Sequence, residues 1–132
     1  MRLLRRTLYA MAAVWAGCGA VLVIVPRWVL ADVFDQPLYP DYAYVRVAGV
    51  CSFCLAMLMV ITAQRLEEMW VFTWAFVFAA AGTFAVALTN AVWGRPTGAG
   101  SFVWWLFAAS SLVFGTGLIL GLGRTGQERP AV

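Results

Sequence analysis

The chain has no histidine, only 3 cysteines and only 6 acidic residues among 132. Each shortage excludes a kind of chemistry. Without histidine, this chain supplies no bis-histidine haem anchor, no HExxH metal centre and no imidazole general base. Three thiols cannot complete the four-ligand set that a structural zinc ion takes. There is no glycine-rich loop of the P-loop or dinucleotide type. No acidic residue falls inside the long apolar runs, so no proton relay is laid out across them. The sequence therefore offers no catalytic residue, no metal site and no cofactor site, and a non-enzymatic role is expected.

Charge is scarce as well. Charged residues make up 11% of the chain and apolar residues 64%, where a soluble domain has about a quarter and about half. So few charges cannot furnish a surface that faces water. Residues 7–26, 47–64, 69–94 and 96–123 carry none at all. A helix needs about 20 mostly apolar residues to cross the hydrocarbon of a bilayer. Backbone groups there must pair internally, which favours helices, and the runs do not alternate as barrel strands would. Four wholly apolar helices in a soluble bundle would leave no polar face. The expected fold class is all-α: a polytopic membrane protein, one four-transmembrane-helix bundle over 1–132, with helices at about 8–30, 43–64, 69–91 and 101–123. MRLLRR followed by an apolar run resembles a signal peptide, but the run is too long and lacks a clear cleavage signal. Helix 1 is read as a retained signal anchor.

What charge there is sets an orientation. Arg2, Arg5, Arg6, Arg65, Arg124 and Arg129 fall at one end of the bundle, against Arg27, Arg46 and Arg95 at the other. The positive-inside bias then places both termini in the cytoplasm. The net charge of +3 is explained by arginines at membrane borders and calls for no nucleic-acid partner. Trp28, Trp70, Trp93 and Trp104 fall near span boundaries, where indole rings settle among headgroups; Trp15, Trp74 and Trp105 fall deeper.

Pro26 lacks an N–H and should end or kink helix 1. Asp41 is placed to cap helix 2. The QRLEEM turn is short enough to make helices 2 and 3 antiparallel neighbours. Gly94, Pro96, Gly98 and Gly100 mark the turn before helix 4, with Ser101 as its N-cap. The polar tail beyond Gly123 is expected to fray. In lipid, small residues let helices approach closely. Gly117 and Gly121 form a GxxxG, and Ala13 and Gly17 repeat the spacing on helix 1. Internal packing is expected to use these residues first, with self-association as the alternative.

Cys51 and Cys54 sit three apart on one helix face. A redox pair needs a stabilised thiolate, whereas here the surroundings are Val50, Phe53, Leu55 and Met57. Two buried thiols acting as small hydrophobes are the plainer reading; thiol–disulfide exchange is the sharper one. The densest polar group is Arg27, Asp32, Asp35, Asp41 and Arg46, around the connection between helices 1 and 2. It reads either as a salt-bridged lid with snorkelling arginines or as a pocket for a lipid headgroup or an anionic substrate.

PDYAYVRVAGV, with Arg46, Ala48 and Gly49 near the start of helix 2, and the QRLEEMW turn resemble small bacterial four-helix membrane proteins of the broad DoxX-like type. The resemblance extends over most of the chain. Some proteins of that type are linked to quinone or thiosulfate oxidation or to redox-related membrane complexes. No catalytic residue carries over, since no sharp motif can be matched residue by residue. The reading that follows is a multi-pass protein of the bacterial inner membrane, surrounded by lipid and acting as an accessory or assembly subunit of a larger complex. A small transporter or lipid-binding protein and a membrane thiol–disulfide oxidoreductase are the alternatives.

Overall fold

The structure, a computed structural model, describes residues 1–93 and 100–128. Arg95, Arg129 and the expected turn formers Gly94, Pro96 and Gly98 lie outside them. The described residues form an all-α, multi-pass membrane bundle. Its four spans are long and apolar enough to cross a bilayer: Arg2–Ile24, Ala43–Gln64, Leu66–Val92 and Phe102–Gly126. In helical terms, α1 is Arg2–Ile24, α2 is Ala43–Gln64, α3 is Leu66–Met69, α4 is Thr73–Val92 and α5 is Phe102–Glu128. A 3-10 turn over Trp70–Phe72 joins α3 to α4.

Several boundaries differ from the sequence reading. α1 starts at Arg2 rather than near residue 8, because Leu4 and Leu8 are fully buried and hold the first turns against the bundle. It stops at Ile24 because Pro26 forces the residue before it out of helical geometry, and Val25 has φ −132 and ψ 53. A π-helical turn then runs from Trp28 to Val33. α5 continues to Glu128 where fraying was expected. Thr125 explains the extension: it is buried, and its hydroxyl donates to Gly121 O at 2.8 Å.

α2 packs along α1, α4 along α5, and α1 meets α5. The expected pairing of helix 2 with helix 3 is not found, since α2 and α4 do not align as close neighbours. In lipid, backbone proximity follows small residues rather than short connectors. Gly19 and Gly49 bring α1 and α2 together, and Gly115 meets Ala80 between α5 and α4. The protein is thus two helical hairpins joined through α1 and α5.

The hairpins share one core, and it lies at the terminal end of the bundle. Leu4, Leu8 and Met11 of α1, Met59 of α2, Phe76 of α4 and Leu118 of α5 belong to it, with Trp15 and Phe114 packed on its edge. Towards the connecting loops the buried positions within the helices are mostly small: Gly19, Gly49, Ala87, Ala91 and Ala108, with Val103 the larger exception. There the hairpins are joined by a clasp. Gly100 N donates to Asp35 O at 3.0 Å. Gln36 Nε2 donates to Gly100 O at 2.8 Å, and Phe34 stacks on Phe102 with centroids 6.3 Å apart. Asp35 has φ +49, a left-handed geometry that aspartate tolerates better than most residues. Gly100 is needed in the clasp because a Cβ there would lie 2.9 Å from Phe34 O.

Most polar side chains within the spans bond their own helix, since lipid offers no other partner. Thr62, Thr83, Thr89 and Thr116 each donate to the carbonyl four residues earlier. Asn90 does the same through Nδ2, and Ser110 reaches back three residues. Thr73 differs. It is fully buried and its Oγ1 has no partner. Met69, four residues earlier, has φ −110 and ψ 13, so its carbonyl does not stand where a helical one would. An unpaired buried hydroxyl costs about 1–3 kcal/mol. Thr73→Val should therefore raise stability by about 1 kcal/mol, whereas Thr125→Val should not. Unfolding midpoints of the two variants in one detergent would show the difference.

Candidate functional site at the loop end of the bundle

The end of α1, the π-helical turn and the first turn of α2 enclose an open recess of about 390 Å3. Arg27, Trp28 and Asp32 line it from one side and Tyr42 and Arg46 from the other, with Ile24 on the deeper side towards the apolar span. The geometry comes from the chain's local chemistry. Pro26 ends α1 and turns the chain, and the wider π-helical winding presents both Arg27 and Asp32 to the recess. Arg46 comes from one turn inside α2, whose entry is held by Asp41: its Oδ1 accepts from Ala43 N at 2.9 Å. Tyr42, not Asp41, is the N-cap residue of α2. Tyr39 and Tyr42 meet edge to face, with centroids 6.0 Å apart.

The polar group of the sequence reading is therefore divided. Arg27, Asp32 and Arg46 share the recess. Asp35 belongs to the clasp through its carbonyl, and Asp41 holds the α2 entry. A salt-bridged lid is not formed: among the described residues, the side chains of Arg27, Asp32 and Arg46 have no hydrogen-bond or ion-pair partner. Two guanidinium groups and one carboxylate thus line the same recess, each exposed and each without a partner.

A second recess, about 410 Å3, lies at the terminal end and is lined by Met1, Arg2, Leu3, Gly121 and Arg124. Its charged side chains are cationic only.

Cys51 and Cys54 are exposed on α2, and both are free thiols, as is the exposed Cys18 of α1. The expectation that they are buried inside the protein is corrected. The interior of the α1–α2 contact is made by Gly19 and Gly49 at van der Waals limits, which leaves the cysteine face turned outward. Cys51 lies about 12 Å along the axis from the start of α2 at 1.5 Å per residue, so the surrounding medium is hydrocarbon. Maleimides add to the thiolate, which needs water to form, so a membrane-permeant maleimide should label both thiols only slowly in intact membranes. A charged, impermeant maleimide should label them only after detergent is added; equal labelling by the two reagents would show that the pair reaches water.

The glycines also divide. Gly117 sits against Thr7, whose Cγ2 would be 3.0 Å from an added Cβ, and Gly121 against Leu4. Gly17 meets nothing within 4 Å and takes no part in internal packing; Gly19, two residues on, makes the α1 contact that the sequence reading gave to Gly17. Tyr42, expected among the hydroxyls of the polar group, does line the recess, whereas Gly19 and the Gln36–Gly100 pairing were not singled out from sequence as parts of a site or contact. Glycine spacing alone could have pointed to Gly19, but only the crossing of two helices shows which of two neighbouring glycines faces inward.

Among the described residues, no group of three or more His, Cys, Asp or Glu side chains is placed to hold a metal ion. Compared with known proteins, the chain matches no family model, no curated protein and no solved structure.

Proposed function

We propose that the protein is a non-catalytic accessory or assembly subunit of a larger complex in the bacterial inner membrane, with both termini in the cytoplasm. One observation carries this reading. Most mid-span glycines are used by internal contacts, but Gly17 of α1 and Gly82 of α4 open onto space with nothing within 4 Å. Ala10, Ala13 and Gly17 are exposed on α1, and Ala75, Phe78, Gly82 and Ala85 on α4. A glycine in a helix interior costs about 0.5–1 kcal/mol relative to alanine. Its use on a face that touches nothing in the bundle fits close approach by a helix of another subunit. The arginines at the terminal end support the orientation.

Purification in mild detergent at native expression level should recover a stoichiometric membrane partner. Gly17→Leu and Gly82→Leu should reduce its recovery without destabilising the protein by more than about 0.5 kcal/mol. A monomer without a stoichiometric companion would remove the proposal. A homo-oligomer disrupted by the same substitutions would replace it with self-association.

A further inference from the structure

We propose that the recess between α1 and α2 is a headgroup site for a phospholipid that carries both a phosphate and a primary amine. It stands independently of the subunit reading, which uses other faces of the bundle. Three observations point to this ligand.

The first is charge. The recess is lined by Arg27 and Arg46, with formal positive charges, and by Asp32, with a negative one. None of the three side chains has a partner among the described residues. A purely anionic headgroup would leave Asp32 unanswered and facing like charge. A phosphate held by the guanidinium groups, with its ammonium on Asp32, would satisfy all three. Guanidinium–phosphate and ammonium–carboxylate hydrogen bonds are charge-assisted and among the stronger ones available at a protein surface.

The second is depth. Arg27 lies three residues beyond the end of the α1 span, and Arg46 lies one turn into α2. That is the level at which headgroups meet hydrocarbon.

The third is the rim. Ile24 is 73% exposed and Trp28 58% exposed, and both line the recess. Ile24 precedes Arg27 by about one helical turn on the side of the apolar span. Acyl chains would lie along it while the indole sits at the glycerol level. The terminal-end recess lacks this character, since Arg2 and Arg124 bring positive charge without a carboxylate.

The test is native mass spectrometry of the full chain released from nanodiscs containing equal parts of phosphatidylethanolamine, phosphatidylglycerol and phosphatidylcholine. Wild type should retain phosphatidylethanolamine over both competitors. Arg27→Gln and Arg46→Gln should each reduce retention of phosphatidylethanolamine and phosphatidylglycerol about tenfold, the scale of one lost charge-assisted contact. Arg46→Lys should recover part of the loss, which a misfolded variant would not do. Asp32→Asn should abolish the preference for phosphatidylethanolamine, lowering its retention and raising that of phosphatidylglycerol, whose phosphate would no longer face like charge. Arg124→Gln, at the opposite end, should alter none of these ratios. Equal retention of the three lipids by wild type would overturn the site. Preference for phosphatidylglycerol that is indifferent to Asp32→Asn would overturn the amine assignment. Displacement of the retained lipid by equimolar soluble phosphoethanolamine would overturn a lipid as the source, because the acyl chains would then contribute nothing.

Discussion

Gly19→Ala should destabilise the protein by about 1–3 kcal/mol, the usual cost of forcing extra volume into a closed contact. An added Cβ would stand 2.6 Å from Gly49 O and 3.1 Å from Phe53 N. Both atoms are backbone, so neither can swing aside as the tip of a side chain would. The contact is reciprocal: a Cβ on Gly49 would be 2.8 Å from Gly19 O and 2.9 Å from Val23 Cγ2. Relief would require α1 and α2 to separate along the whole hairpin. Gly17→Ala supplies the internal control. It adds the same methyl group to the same helix, two residues away, where nothing lies within 4 Å, and should be neutral or stabilising by up to about 1 kcal/mol. Reversible unfolding in bicelles measures both. Equal effects at the two glycines would mean that α1 and α2 do not cross where the structure puts them.

Leu4→Ala should be comparably damaging, at about 2–4 kcal/mol, although it lies in the first turn of the chain. Terminal residues ordinarily fray and tolerate change. Leu4 is fully buried, and its Cα, Cβ and Cδ1 all stand 3.0 Å from the Cβ position of Gly121. Lipid already solvates apolar groups, so burial gains little from the hydrophobic effect between helices. What truncation removes is the dispersion contact of a close fit, and it leaves a void behind. Leu58→Ala and Val113→Ala, on exposed outward positions, should change stability by less than about 0.5 kcal/mol. A Leu4 variant that behaves like these two would place the core elsewhere than at the terminal end.

Both predictions concern positions that composition and hydropathy do not rank. Four uncharged stretches and the spacing of prolines and arginines were enough to count the spans and to find α2 within its observed limits. The first span was displaced for a physical reason. Arg2, Arg5 and Arg6 read as the start of water, but in a helix they leave the face of Leu4 and Leu8 free to pack. The polar tail was displaced in the same way, because a threonine that bonds its own helix, as Thr125 does, can be buried despite a polar sequence around it. The candidate site was partly legible. Arg27, Asp32 and Arg46 were found as a cluster near one connection, but Asp35 and Asp41 looked equivalent to Asp32 until backbone geometry assigned one to a clasp and the other to a helix entry.

By itself the sequence determined the solvent. Where charge is absent for the width of a bilayer, backbone groups have to pair within each helix, and an all-α, four-span bundle follows. The tertiary structure alone decided which helices are neighbours, which glycines face inward and which acids share a recess with arginine. In lipid every apolar face is solvated almost equally well, so hydropathy cannot choose among partners. The choice falls to sub-ångström fits such as Gly19 against Gly49, which depend on two distant segments at once.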